Sequence, residues 1–589
     1  MSEIARIIGG DQEAKLRRFV QFVGLPEDAV CFMRSENWNR VLTSINSRDR
    51  RPLVIECGSG MDCPPLQAWL DIPSCDGGDR DIFFFGPGFT DSYQNPELAS
   101  LPETPRADRV KIPAPCEIRF SDDPLWGPLQ GLRANWPLSH ESLPPTSLEL
   151  SGTCEPLITI KDQPWFLLSK NDQPTVFVWA AADLPGILEP LKSDDEEQGE
   201  PLLRLLPLLV FLRHAFGKQT WQVPAYFGNF IIDDPPVRAR YGFFEPARYL
   251  ASLRDIAHAT TVAFIPWYWN RSAAAAAELF RDHSSQLSLC VHGCDHTGGE
   301  FASLDRVTLT GKCRLALQRS QLLRERTGLS CQPVMVFPQG RFSRAAVAAL
   351  HETNFLGAVN STLFPVDAQV GDVRLTDLME PAYTSIEDFP IFLRRTPEDP
   401  VLCAVDLFLG RTLLVVEHQE YFRHGYGDCR RFFEAINNLK CSLSWLPLDQ
   451  IVRRACLQRE IEPGRFEVRF YSNNFVLENP SDKRLSYRLV RRCNRPTLIR
   501  SVVVDGSPIS HAFGDGEVTF DLEMPSKTSA SIQLVETDAG ANVVFKGSLA
   551  YRVRVLVRRR ICELRDNHLW IWLCARWVKR ALRRGNNSA

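Results

Sequence analysis

Polar side chains that could perform metal and acid–base chemistry follow four short apolar runs in the middle of the chain. The runs FGNFII and LSLCV lead into DDPP (233–236) and HGCDH (292–296). The runs VMVF and TLLVV lead into PQGR (338–341) and EH (417–418). Parallel α/β folds build their sites at the carboxyl ends of the strands. We therefore expect these four segments to meet in one site.

The residue types in these segments indicate hydrolytic metal chemistry. His292 and His296 lie four residues apart, and two imidazoles with one carboxylate form a metal site that keeps positions open for water. Such a metal lowers the pKa of bound water to about 7 and polarises a carbonyl group. Of the adjacent Asp233 and Asp234, one can bind the metal while the other stays free as a general base. His418, from a distant strand, is a candidate to protonate the leaving group.

The elements that must position these residues alternate between apolar runs and helical patterns from about residue 225 to residue 457. Strands are predicted at 230–232, 261–265, 287–291, 334–337, 356–359, 412–416 and 442–445. Helices are predicted at 245–257, 272–282, 314–326, 344–352 and 428–439, with Ser343 as an N-cap and Gly328 as a C-cap. This alternation predicts parallel strands with crossover helices, in a barrel or an open sheet.

The four segments resemble the motifs of the polysaccharide deacetylases of the NodB-homology type (carbohydrate esterase family 4). That family carries Asp-Asp-x-Pro, His-x-x-x-His and Arg-x-Pro-x-Gly motifs and then a late histidine, and the order matches over residues 221–460. The resemblance implies a distorted (β/α) barrel. It also implies Asp233 as the base, His418 as the general acid, and a divalent ion, most often Zn²⁺. The implied metal ligands are Asp234, His292 and His296.

The chain departs from the family pattern at identifiable places. DDPP stands where Asp-Asp-Gly-Pro is common, and Val336 stands where the third motif has its arginine. Arg341 is the candidate to supply that charge and is predicted as a third catalytic residue. No fourth motif is recognisable near residues 355–360. The chain therefore resembles a divergent branch of the family.

The flanking regions predict further domains, because 589 residues with 44% apolar content exceed one hydrophobic core. Residues 1–220 are predicted as a mixed α/β domain of unknown role, with the apolar run 202–216 as a buried helix. Residues 461–540 are predicted as a small antiparallel β-sandwich, and residues 541–589 as a basic amphipathic tail.

The seventeen cysteines are scattered and expected to be reduced, with a structural zinc at Cys57/Cys63 or Cys290/Cys294 as a minor alternative.

The tail segment 551–584 carries eleven Lys/Arg against two acids, together with Trp570, Trp572 and Trp577. Three interpretations stay open: it lies on an anionic membrane surface, docks on a partner, or packs on the chain's own sandwich. Nucleic acid is not expected, because the net charge is −3 and no recognition motif accompanies the basic residues.

The function predicted from the sequence is metal-dependent N-deacetylation of N-acetylated sugars in polysaccharide or glycolipid synthesis or modification. Two alternatives are a non-catalytic glycan-binding or scaffold component of a membrane-associated assembly, and a hydrolase of another amide or ester. The lack of a recognisable signal peptide predicts a cytoplasmic protein, with peripheral attachment to the inner membrane face as an extension. Near the site, Asp295 and Glu300 are predicted to lie in a solvated loop, with a hydrogen bond to a metal-binding imidazole as the alternative for either. The aromatic run 267–269 fits either a sugar subsite or the core.

Overall fold

The computed structural model describes residues 12–35, 49, 51–57, 81–86, 115–137, 154–169, 175–181, 183–184, 186–191, 200–494, 499–536 and 545–567. The three tail tryptophans and Cys63 lie outside these residues. The chain divides into two compact units. One comprises residues 1–222, 374–378 and 458–463, and the other comprises 223–373, 379–457 and 464–589.

The first unit is built on one mixed sheet of eight strands. They are β1 (Cys31–Ser35), β2 (Leu53–Cys57), β3 (Ile82–Phe85), β4 (Pro115–Phe120), β5 (Arg133–Pro137), β6 (Cys154–Ile160), β7 (Gln163–Ser169) and β8 (Val176–Trp179), in the order β1-β2-β3-β8-β7-β6-β4-β5. The first four in that order pair in parallel, and the rest pair antiparallel. Helices Gln12–Phe22 and Glu200–Phe216 belong to this unit, and the apolar residues from Leu202 to Leu212 are buried, as the sequence predicted.

The second unit contains the parallel sheet that the alternating pattern predicted. Its strands are β9 (Tyr226–Asp233), β10 (Thr260–Phe264), β11 (Leu287–His292), β12 (Cys331–Val336), β13 (Gly357–Asn360), β14 (Ile391–Leu393), β15 (Leu413–His418) and β16 (Leu443–Trp445). The order is β14-β13-β12-β11-β10-β9-β15, with β16 paired to the start of β9, and every pair is parallel. These strands are nearly all buried because they carry continuous apolar runs.

Main-chain contacts after β14 bring this sheet close to a closed barrel. The N–H of Arg395 donates to Leu414 (2.9 Å), and the Arg395 carbonyl accepts from the N–H of Val416 (2.7 Å). The two outer strands of the sheet, β14 and β15, are thereby linked. A parallel barrel gathers the carboxyl ends of all its strands around one mouth, so the chemistry-bearing segments converge there.

Helices connect the barrel strands. They are Pro246–Ser252, Ala274–Asp282, Arg306–Thr327, Arg344–Glu352, Pro400–Leu409, Gly427–Asn437 and Leu448–Arg454. The predicted caps are confirmed: Ser343 accepts from the N–H of Ala346, and Gly328 adopts φ 72° after the last turn. The sequence reading missed β14 and the helices Pro400–Leu409 and Leu448–Arg454. Strand β14 has three residues, too few to show a period.

Two further sheets follow the barrel. β18 (Arg465–Phe470), β20 (Leu485–Arg492), β24 (Glu517–Met524) and β23 (Ala512–Gly514) form one sheet, led into by β17 (Cys456–Glu462). β19 (Asn474–Asn479), β25 (Thr528–Glu536), β21 (Ile499–Val504) and β22 (Ser507–Ile509) form the other. The pairing is not wholly antiparallel, because β18 and β20 are parallel. The strand between them, β19, lies in the other sheet, so the chain returns in the same direction.

The helix Leu549–Asn567 begins the predicted tail and packs on the barrel, through Tyr241, Arg271 and Asp295. Within the described residues the interpretation that it packs on the sandwich is therefore wrong.

No helix among the residues that the structure describes combines the length and the hydropathy needed to cross a bilayer. The fourteen described cysteines are free thiols.

Candidate metal centre and active site

Strand β9 delivers both aspartates to the barrel mouth. Asp233 is its last residue and is 2% exposed, in register with Ala263 of β10 and His418 of β15. Asp234 follows with φ 84° and donates its N–H to the Ala263 carbonyl (3.2 Å). A positive φ at an aspartate costs conformational energy and persists where surrounding contacts enforce it. The turn therefore separates the directions of two neighbouring carboxylates.

Asp234, His292 and His296 form a compact cluster. Asp234 Oδ1 lies 3.6 Å from His292 Nε2 and 3.3 Å from His296 Nε2. One ligand atom from each of the three residues falls within 4.8 Å of the others. The same Asp234 oxygen is buried and accepts no hydrogen bond from the described residues. A buried carboxylate oxygen without a donor, facing two imidazole nitrogens, fits the ligand set of a divalent cation.

The environment favours the protonation states that metal ligands need. Burial lowers the pKa of His296 to about 4, so the ring is neutral near pH 7. Burial opposes ionisation of Asp234, but the two imidazoles beside it hold its pKa below the usual value. His292 Nδ1 lies 3.0 Å from the Val336 carbonyl, an acceptor only, so Nδ1 carries the proton and Nε2 offers its lone pair to the cluster.

The loop after β11 is held by a buried carboxylate. Glu300, 4% exposed, accepts from the backbone N–H groups of Cys294, Asp295 and His296 and pairs with Lys312 (3.2 Å). Gly293 at φ 67° makes the turn possible, since a Cβ there would lie 2.5 Å from Pro338 Cγ.

The prediction that Asp295 and Glu300 lie in a solvated loop is wrong, because both side chains are buried. Asp295 is also buried, at 2% exposed, and bonds Arg319 and Tyr551 (both 2.7 Å). Both acids stabilise the loop that carries His296 by bonding the backbone and other side chains, and neither bonds an imidazole.

Asp233 lies beside the cluster and is paired with Arg394, an arginine that was not predicted from the sequence. The Arg394 guanidinium donates two parallel hydrogen bonds of 2.8 Å to the two oxygens of Asp233, and its Nε donates to Ser361 Oγ (3.1 Å). Both partners are nearly fully buried. Although burial opposes ionisation, the charge of Arg394 holds the pKa of Asp233 well below its usual value. Asp233 is therefore a fixed carboxylate, with Oδ2 4.0 Å from His292 Nε2.

Arg394 is fixed by its neighbours in the chain. It comes directly after β14, and its own N–H donates to the Asn360 carbonyl (3.0 Å). The next residue, Arg395, makes the two main-chain bonds to β15 and pairs with Asp406 (2.7 Å). The signal in the sequence is IFLRR (391–395), three apolar residues and two arginines after a proline. Like the four segments at the other strand ends, it places polar residues after an apolar run. Its apolar run, IFL, is shorter than the other four runs.

The remaining predicted catalytic residues, His418 and Arg341, are both exposed. His418, the last residue of β15, is exposed and sits beside Asp233 in the register. Arg341 is exposed, and its guanidinium makes no hydrogen bond or ion pair with the described residues; its catalytic role stays a prediction. In the aromatic run, Tyr268 is fully buried while Trp267 and Trp269 are partly exposed. The arrangement can thus hold a cation, a separate anionic carboxylate and an exposed imidazole.

No family model and no curated protein sequence matches the chain. Among solved structures, the chain is similar to Agd3, described as a novel carbohydrate deacetylase, at 9% identity and a TM-score of 0.38, covering 82% of this chain and 91% of that one. It is also similar to a family 4 carbohydrate esterase from Streptomyces lividans in complex with acetate (14% identity, TM-score 0.24, 38% and 92% coverage). A third is the chitin deacetylase from Colletotrichum lindemuthianum (11% identity, TM-score 0.24, 38% and 87%).

Proposed function

We propose that the chain is a metal-dependent hydrolase that removes the acyl group from N-acylated sugars, with N-acetylated glycans or glycolipids as substrates. The observation that carries the proposal is the pair of adjacent carboxylates with separate partners. Asp234 faces His292 and His296, while Asp233 is held by Arg394. Binding a metal needs only the first carboxylate, whereas hydrolysis also needs a second one to handle a proton.

Each residue of the chain then has a defined task. Asp234, His292 and His296 would hold a divalent ion such as Zn²⁺, which lowers the pKa of a water molecule and polarises the amide carbonyl. Asp233, ionised and fixed by Arg394, accepts the proton of the attacking water. His418, exposed at the mouth, donates a proton to the departing amine. The ion pair with Arg394 prevents Asp233 from turning into the metal cluster.

The test compares two neighbouring substitutions. Asp233→Asn should abolish release of acetate from N-acetylglucosamine oligomers while bound metal stays at the wild-type level. Asp234→Asn should lose the metal as well as the activity. Acetate release by Asp233→Asn at the wild-type rate would contradict the role of Asp233 as base.

One observation favours a second candidate, a glycan-binding module without turnover. Both oxygens of Asp233 accept from Arg394, which lowers the basicity of that carboxylate. In that case the wild-type protein would bind N-acetylated oligomers and release no acetate, and Asp233→Asn would bind them equally well.

A further inference from the structure

The C-terminal helix Leu549–Asn567 turns both of its acidic residues and Arg559 toward the barrel. Arg559, Glu563 and Asp566 are buried. Glu563 pairs with Arg271 (2.9 Å from Oε2 to Nη2), and Asp566 accepts from the Tyr241 hydroxyl (2.6 Å). These two acids are the only Asp or Glu residues of the helix. The outward side therefore carries no negative charge.

The outward side of the helix is apolar. Val553, Val557, Ile561 and Leu564 recur at spacings of four, four and three residues, which places them on one face. They are 51%, 49%, 60% and 53% exposed. An amphipathic helix of a globular protein normally buries its apolar face and exposes its charges. Here these four apolar side chains are exposed together with Arg552, Arg554 and Arg560, so this face is available to something outside the barrel.

Arginines border the apolar face. Arg554 and Arg560 are exposed on either side of it. Arg554 has no carboxylate within ion-pair distance among the described residues, and Arg560 lies 3.9 Å from Glu563. A groove of about 1040 Å³ is lined by Val553, Val557 and Ile561 of this face and by Thr297 and Gly298. The surface therefore combines exposed aliphatic side chains with the exposed guanidinium groups of Arg554 and Arg560, of which the second also lies near Glu563.

Residues 568–589, a second copy of the helix or a lipid surface could cover this face, and these three differ in charge. Residues 568–589 carry five Lys/Arg and no Asp or Glu, so that segment would be repelled by Arg554 and Arg560. A second copy of the helix would bring the same charges. Anionic lipid headgroups complement the arginines, and the headgroup–acyl boundary accommodates the aliphatic side chains.

We propose that the outward face of this helix docks on an anionic lipid surface. Val553, Val557, Ile561 and Leu564 enter the headgroup–acyl boundary, and the arginines contact headgroup phosphates. The inward face of the same helix touches the loop that carries His296, since Arg559 donates to the His296 carbonyl (2.9 Å). Docking thus places the metal cluster beside the lipid surface, and a lipid-linked N-acylated sugar as substrate follows if the proposed function is also correct.

Co-sedimentation of the full chain with vesicles tests the proposal. Vesicles of phosphatidylcholine with about 30% phosphatidylglycerol should bind the protein, and pure phosphatidylcholine should not. Arg554→Ala/Arg560→Ala should lower the partition coefficient roughly 25-fold, about fivefold for each arginine. Val557→Asp/Ile561→Asp should abolish binding. These residues are exposed, so the variants should keep the wild-type unfolding temperature.

Val370→Asp and Lys440→Glu are matched controls, because both residues are exposed elsewhere on the barrel and their variants should bind as wild type. Three outcomes would overturn the proposal: no binding to anionic vesicles, equal binding to neutral vesicles, or unchanged binding by Val557→Asp/Ile561→Asp. Concentration-dependent dimerisation lost in Val557→Asp/Ile561→Asp would assign the face to a second copy instead. Acetate release from soluble oligomers, measured on the same variant, reports separately on the proposed function.

Discussion

Arg394 and Asp233 form a buried bidentate ion pair between the ends of two strands that lie far apart in the sequence, β14 and β9. The pair sits next to the cluster of Asp234, His292 and His296 but leaves Asp234 to the two histidines. Planar guanidinium groups match both oxygens of a carboxylate, which lysine cannot do. The pair therefore determines the orientation of Asp233 as well as its charge.

Removing Arg394 should be strongly destabilising. Arg394→Met leaves Asp233 as a buried carboxylate without a partner, which costs roughly 3–5 kcal/mol in the free energy of unfolding. Adding Asp233→Asn should recover part of that loss, because the unpaired charge disappears. Urea denaturation of the single and double variants measures both effects. Arg341→Met is the control, since Arg341 is exposed and should change stability by less than about 0.5 kcal/mol. An equally small effect at Arg394 would contradict the ion pair.

Glu300→Gln should weaken metal binding without removing a metal ligand. Glu300 accepts from three successive backbone N–H groups, including that of His296, and an amide retains only one acceptor oxygen. Loss of such supporting contacts lowers metal affinity by about 10–100-fold. Titration of the metal-free protein, followed by calorimetry, measures the affinity. Glu325→Gln, an exposed substitution on helix Arg306–Thr327, should leave it unchanged; a loss of the same size there would indicate a nonspecific effect.

Glu417 should make stability depend on pH. Burial raises its pKa to about 7, above the value of about 4.3 in an unfolded chain. The folded state therefore holds the proton more tightly, and the stability this contributes is complete below about pH 4 and is lost as the pH rises through 7.

Glu417→Gln carries no such proton. The variant should match the wild-type melting temperature at pH 4 and exceed it by about 2–4 °C at pH 8. The expected shift is small because Glu417 is partly exposed and solvent screens its charge. Melting curves across this pH range measure the difference. A constant offset between the two proteins at every pH would show that Glu417 does not titrate in this window.

Much of the barrel could be predicted because its strands are continuous apolar runs bounded by polar motifs. A metal site of His292, His296 and one of the two aspartates was predicted from their positions after such runs, and the family resemblance implied Asp234 as the carboxylate ligand. Asp234 Oδ1 lies 3.6 Å from His292 Nε2 and 3.3 Å from His296 Nε2. Arg394 could not be predicted in the same way. Its strand is three residues long, and its position opposite Asp233 depends on barrel closure through Arg395, a long-range contact with no local signature.

The burial of the loop that carries His296 could not be predicted from the sequence either. Asp295 and Glu300 are charged and adjacent to glycines, a composition typical of solvated loops. They are buried because Arg319, Lys312 and Tyr551 approach from two helices. The outward apolar face of the C-terminal helix could not be predicted either, since helical spacing alone does not show which face is inward.

The central claim is that Asp234, His292 and His296 hold a catalytic divalent ion. Metal analysis by mass spectrometry of the protein purified without chelators tests it most directly, beside His292→Ala/His296→Ala and the exposed control His424→Ala. We predict about one equivalent of zinc or a similar ion in the wild type and in the control, and none in the double variant. Equal metal content in all three proteins, or no metal in any of them after supplementation, would contradict the claim.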